Sequence, residues 1–241
     1  MDLESDGLLD TVTTVWCISM IDVDTKEGFS FRPHEIEKAL DVISECDVII
    51  GHNVIAYDFP VLEKLHKFNF NGEVFDTLVA SRTIYPDLMA RDIIFREKLK
   101  VRGIGFPNEL LGSHKLKAWG WRLGNRKTHY DDWTHFTDEM LEYNKQDCST
   151  TLTLYEKMLE KRFSEKALTC EHKLHQELLL QEKRGICFDT KAATELYGTI
   201  QAKRMNIRET LEDVFPPKVI VMKTKTKTIP FNPGSRQEIG E

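Results

Sequence analysis

Four carboxylates in three separated segments are the residues of this chain best suited to chemistry: Asp2 and Glu4 near the start, Asp58 after an apolar run, and Asp147 within a long helical stretch. On a strand, side chains of period two share a face, so the D-x-E pair of Asp2 and Glu4 points one way. Hard oxygen ligands of this kind suit Mg²⁺ or Mn²⁺. Two such ions ~3.5–4 Å apart can hold the attacking and leaving oxygens of a phosphodiester together, which makes hydrolysis of nucleic acid the chemistry to expect. Tyr143 stands four positions before Asp147. On a helix both project from one face, and the phenol can reach a water held at the metal.

Taken singly, these signals are ordinary. D-x-E recurs by chance, and Asp58 alone reads as a helix cap for Pro60 and Val61. Asp147 is less ordinary, because it falls on the stripe that holds Met140, Thr151, Leu154 and Met158. A carboxylate buried there calls for a metal or a basic mate. His52, His114, His129 and His135 stand in no H-x-x-x-H spacing with a Cys or carboxylate neighbour, so they read as solvated or core side chains and not as zinc ligands. Trp119 reads as core. Tyr130 and Trp133 lie on a polar loop where they could stack unpaired bases, worth ~1–3 kcal/mol per base. Lys223, Lys225 and Lys227 read as a solvated arm with phosphates as possible contacts.

The elements that must position these groups alternate between strand and helix. Strands are expected over 15–23 and 28–31, a helix over 34–45, a short buried strand over 47–50 ended by Gly51, and a helix over 58–68. Asp76 caps a helix that runs through Leu78, Val79 and Ile84. Residues 86–112, with four glycine and proline breakers after position 102, read as mostly loop. Ser113 is the expected cap of a helix through Leu116, Trp119 and Leu123. A long helix follows over 138–163, then a pair over 169–184 and 189–215 divided by Gly185, as a second unit. The run MKTKTKTIP reads as a hairpin or a mobile arm. The class is α/β.

Length and composition agree with one core plus an appendage: 241 residues, 41% of them hydrophobic. With 39 acidic and 33 basic residues the net charge is −6, which excludes attraction to nucleic acid by the whole surface while allowing a locally basic groove. The five scattered cysteines form no C-x-x-C pair and imply reduced thiols in a cytoplasm. There is no leader and no apolar run approaching the ~20 residues of a membrane span, so the expected chain is a cytoplasmic monomer. Both ends read as cut: Met1 alone precedes Asp2, and FNPGSRQEIGE stops within a starting helix, Ser235 its cap and Glu238 three residues on.

The order and surroundings of these residues resemble the proofreading exonuclease of family A DNA polymerases, the phage branch most closely. DLESDGLL is similar to that family's first motif, GHNVIAYDFPVL to its second and EYNKQDCSTT to its third. LGSHKLKAWGWRLG and FNPGSRQEIGE are also similar to phage polymerase segments, so the resemblance spans nearly the whole chain. It implies an RNase H-like fold, a mixed five-stranded sheet flanked by helices, with the carboxylates at one end. It also implies an exonuclease domain over 1–165, then a helical connector and the start of a polymerase region over 166–241.

By the same resemblance, Asp2, Glu4, Asp58 and Asp147 hold two Mg²⁺ or Mn²⁺ ions and Tyr143 orients the attacking water. A tyrosine four before the last Asp marks the tyrosine subclass; the histidine subclass has its His five before, where this chain has Glu142. Leu8 matches the residue that wedges against the terminal base, Asn53 an amide near the scissile nucleotide, and Ser5 replaces the usual Thr beside the terminal nucleotide. Cys148 stands where a small apolar residue is usual, and the short start puts the first ligand on a strand end open to fraying.

The expected function is 3′ to 5′ removal of nucleotides from single-stranded or frayed DNA, as 5′-monophosphates, in partnership with a polymerase domain in the same or a companion chain during phage DNA replication in the host cytoplasm. An RNA 3′-end nuclease resembling RNase D, and a nuclease-dead module that binds DNA, are the alternatives.

Overall fold

The computed structural model describes residues 1–126, 130–215, 217–222, 225–232 and 234–236. His129, Lys223 and the residues after Arg236 lie outside these, and with them the expected final helix. The chain forms two units, Met1–Arg184 and Gly185–Glu241.

The first unit is built on two hydrogen-bonded ladders. Strands β1 (Asp2–Ser5), β2 (Val15–Ile21) and β3 (Gly28–Phe31) make an antiparallel meander in that order, and β4 (Val48–Gly51) pairs with β5 (Glu73–Asp76) in parallel. The Met1 backbone nitrogen donates to Ile50 O at 2.7 Å, which sets β1 beside β4 and brings the two ladders together. Gly51 is required there, since a Cβ would meet Val54 Cγ1 at 1.9 Å and Met1 O at 3.1 Å. Met1, Leu3 and Ser5 are buried while Asp2 and Glu4 are half-exposed, the alternation expected of a strand with one wet face. Far from fraying, Met1 is a core residue.

Helices cover these ladders. The first, α1 (Ile36–Ser44), buries Ile36, Ala39, Leu40 and Ile43, and α2 (Asp58–His66) buries Val61 and Leu62 in the same core as β1 and β2. At the head of α3 (Thr77–Ile84), Asp76 accepts from Leu78 N and Val79 N, the expected cap. The same carboxylate, fully buried, also accepts from Asn53 N at 2.9 Å and Ile55 N at 3.2 Å. It thereby fixes the loop that leads into Asp58, with Asn53 held in the left-handed region at φ 71°. Strand β5 itself was not expected from the sequence.

Residues 86–112 are not mostly loop: α4 (Leu88–Val101) occupies much of the stretch. Its stability is non-local. Asp92, 1% exposed, accepts from Arg122 Nε at 2.8 Å, Arg122 Nη2 at 2.7 Å and Gly112 N at 2.7 Å. Helix α5 (Leu116–Leu123), which carries Arg122, is capped by Lys115 and not by Ser113, whose hydroxyl accepts from Lys115 N instead. Breaking a buried pair strands the surviving charge, so Asp92→Ala is expected to destabilise the unit by ~3–5 kcal/mol in urea melts. A loss under ~1 kcal/mol would show that Arg122 finds water instead.

The spine is α6 (Asp138–Leu159), begun by Thr137, whose hydroxyl accepts from Met140 N at 3.0 Å. It packs along β2 and buries Leu154 and Met158 with Trp119 and Leu168, each aliphatic side chain contributing ~1.5–3 kcal/mol. Leu168 belongs to α7 (Glu165–Arg184), which packs on α3 in the first unit; Asp76 N–H donates to His172 Nε2 at 2.8 Å, so His172 is the Nδ1–H tautomer, donating to Leu168 O. The second unit holds α8 (Thr190–Val214), capped by Asp189, and a hairpin of β6 (Lys218–Val221) and β7 (Thr226–Ile229) where the basic run was expected to turn. No described helix is long and apolar enough to cross a membrane.

Candidate metal centre

The wet face of β1 and the inner face of α6 converge on three carboxylates. Ligand oxygens of Asp2, Glu4 and Asp147 all lie within 4.8 Å of one another, Asp147 buried and the other two half-buried. At that separation each ionised pair repels by roughly 3 kcal/mol at an effective dielectric of ~20, so the cluster is a site of strong negative potential. A divalent cation reverses the sign of that term. All-oxygen donors on a rigid strand and helix fit a hard cation such as Mg²⁺ or Mn²⁺. Among the described residues this is the one group of three or more His, Cys, Asp or Glu so placed.

The negative field is felt by the thiols behind it. Burial pushes the Cys17 and Cys148 thiols far above their ordinary range, and nearby carboxylates push further: Glu4 and Asp2 at Cys17; Asp2, Asp147 and Asp58 at Cys148. Cys148 is buried and donates to Ser19 O, so it serves as the small core residue expected at its position.

Asp58 sits behind this face. It does not cap α2: Val61 N–H bonds to Tyr57 O, and Asp58 Oδ1 accepts from Leu3 N, between the two β1 carboxylates, at 3.1 Å. It is buried, and desolvation raises its pKa to about 7 despite the nearby Met1 ammonium and the stabilising Leu3 N–H. The cluster within 4.8 Å is therefore three carboxylates, with Asp58 adjoining it through the β1 backbone.

Tyr143 projects from α6 into an aromatic group, its ring centroid 5.9 Å from Tyr130 and 5.8 Å from Trp133. Those two do not stand alone on a polar loop: Tyr130 OH bonds to Thr137 Oγ1 at 2.9 Å, and Trp133 O accepts from Trp16 Nε1 at 3.0 Å. Both are half-buried against Met140 and Leu141. Ser5 is buried, its hydroxyl bonded to Gly7 O and Tyr57 OH, whereas Leu8 is 78% exposed on the loop after β1.

Asn144 belongs to the site and was missed by sequence reasoning. It is fully buried, and its Nδ2 donates to Asp2 Oδ2 at 2.8 Å, which fixes that carboxylate's rotamer. The available signal was its place three residues before Asp147 on the same helical face. Partners that orient a metal ligand typically govern affinity, so Asn144→Ala is expected to weaken Mn²⁺ binding ~10–100-fold by calorimetric titration. Unchanged affinity would reduce Asn144 to a packing residue.

A family model of the RNase H superfamily matches residues 1–159, covering both β1 and α6. The chain belongs to the RNase H superfamily. Within it, this RNase H domain is similar to the DNA-directed DNA polymerase of Escherichia phage T7, 32% identical over 262 residues that cover 89% of this chain and 36% of that protein. The DNA-directed DNA polymerase of Enterobacteria phage T3 is likewise 32% identical over 263 residues, with the same shares covered. The chain thus spans about a third of the length of these curated relatives, and it resembles the N-terminal region of these family A enzymes. As an RNase H-like domain it pairs a nuclease-like fold with a carboxylate cluster capable of metal coordination.

Proposed function

We propose that this chain is a 3′ to 5′ DNA exonuclease that proofreads for a family A polymerase. The observation that carries the reading is the meeting of Asp2, Glu4 and Asp147 within 4.8 Å in an RNase H superfamily domain similar to phage DNA polymerases. In this reading two divalent ions, Mg²⁺ or Mn²⁺, when bound, supply the Lewis acid and the activated water for phosphodiester hydrolysis. Asp2, Glu4 and Asp147, with Asp58 as the fourth carboxylate, hold them. Asn144 keeps the Asp2 carboxylate in one orientation, and Tyr143, steadied by Tyr130 and Trp133, places its phenol to align the attacking water.

The aromatic roles change accordingly. Tyr130 and Trp133 support Tyr143 while their outer edges face the strand, and exposed Leu8 supplies an apolar contact for the terminal base. Asn53 lies on the loop before Asp58, with Ser5 bracing the turn after β1. Residues 1–165 are then the exonuclease domain, and 166–241 lead toward the polymerase region. The exposed stripe of Leu196, Ile200, Ile207 and Val214 on α8 is the kind of surface a polymerase domain would cover.

Digestion of a 3′-labelled single-stranded DNA oligonucleotide tests the proposal, with Mg²⁺ or Mn²⁺, with EDTA, and beside the matching RNA. Metal-dependent release of mononucleotides from the DNA 3′ end is expected. Preferential cleavage of the RNA would turn the reading toward RNA trimming, and cleavage of neither strand would remove the nuclease reading.

A further inference from the structure

A cavity lies away from the carboxylates, where the chain turns from α6 into α7 against the end of α3. It measures about 300 Å³, near the lower bound for small-molecule sites. Leu159, the last residue of α6, comes twelve positions after Asp147, so at 1.5 Å per residue the cavity beyond it starts ~18 Å along the helix from the metal centre.

Its floor is aromatic and its rim cationic. Tyr85 is buried, its hydroxyl tied to Lys157 O, and Phe163 is half-buried against the same core. Arg91, Lys161 and Arg162 line the rim with Ser164. Asp87 neutralises Arg91 at 2.7 Å and holds its guanidinium 5.7 Å from the Tyr85 ring centroid. Nearby Glu160 is engaged by Lys157 at 3.2 Å. Lys161 and Arg162 have no acidic partner among the described residues, so they carry the net positive charge of the rim. In a chain of net charge −6 this is a local feature and not the general tone of the surface.

Paired cations select an anion, and an Arg fork matches phosphate oxygens bidentately. An aromatic floor beneath them adds a place for a flat ring. We propose that this cavity is a nucleotide site separate from the metal centre, its phosphate held between Lys161 and Arg162 and its base laid against Phe163. The phosphate chemistry stands on the cavity alone; the choice of a nucleotide rests on the nuclease reading.

The test is calorimetric titration of the Asp147→Ala protein in EDTA, so that neither cleavage nor metal binding enters. The probes are dTMP, inorganic phosphate, thymidine and a short oligo(dT) without terminal phosphates. Saturable dTMP binding is expected, weakened at least ~10-fold by the pair Lys161→Glu and Arg162→Glu, which alter exposed side chains. Phe163→Ala should weaken dTMP more than phosphate. Tighter binding of oligo(dT) than of dTMP would assign the site to a strand phosphate, and the reverse to the free mononucleotide. No binding of any probe, binding indifferent to the charge reversals, or equal affinity for phosphate and dTMP would overturn the assignment. Failure of the nuclease reading would appear in the digestion assay and leave this titration unaltered.

Discussion

Asp147→Ala is expected to reduce metal-dependent DNA cleavage by at least ~10³-fold, equivalent to about 4 kcal/mol of transition-state stabilisation, while the domain stays folded. The carboxylate is buried within 4.8 Å of Asp2 and Glu4, so its removal takes one of three candidate ligands from the interior wall of the cluster. It also relieves like-charge repulsion. Metal-free stability should therefore hold or rise, a result that separates this residue from an ordinary buried group. Mn²⁺ titration beside a urea melt gives both readings on one sample. Turnover within ~10-fold of the parent, or retained metal affinity, would show that the cluster is not the reaction centre.

Much of this arrangement was legible because it is local. The D-x-E alternation on β1 needs only the strand period, and Asp147 declared itself by falling on the buried stripe of α6. What escaped was held from far away. Helix α4 buries only Leu88, Asp92 and Leu99, and its central anchor is a carboxylate clamped by Arg122 from α5, so no apolar stripe advertised it. Four residues of β5 pair in parallel with β4 across an intervening helix, a register that no short window contains. Asn144 looks like any helix-surface amide until its partner, 142 positions earlier, is placed beside it. Tyr130 and Trp133 looked like free aromatics on a polar segment because the ring they pack on, Tyr143, lies a full turn into the next helix.

Asp58→Asn is expected to part catalysis from stability in the opposite sense to a core mutation. The amide oxygen can still accept from Leu3 N, so the link between α2 and β1 is kept while the charge is lost. Burial raises the native pKa of Asp58 from an ordinary 3.8 to about 7. Its folded form therefore keeps a proton that the unfolded chain has released, and stability falls as pH rises from about 4 to about 7, then levels off. Above that window the metal-free parent carries a penalty of roughly a few kcal/mol, which the asparagine variant escapes. Thermal melts in EDTA at pH 5 and pH 8 should thus show the variant more stable than the parent at pH 8, with the gap narrowed at pH 5. Saturating Mg²⁺ should raise the parent at pH 8 more than the variant, which keeps Asp2, Glu4 and Asp147, while cleavage by the variant falls ~10²-fold or more. A variant destabilised at both pH values would make Asp58 a structural tether of β1, and full activity would remove it from the metal-holding set.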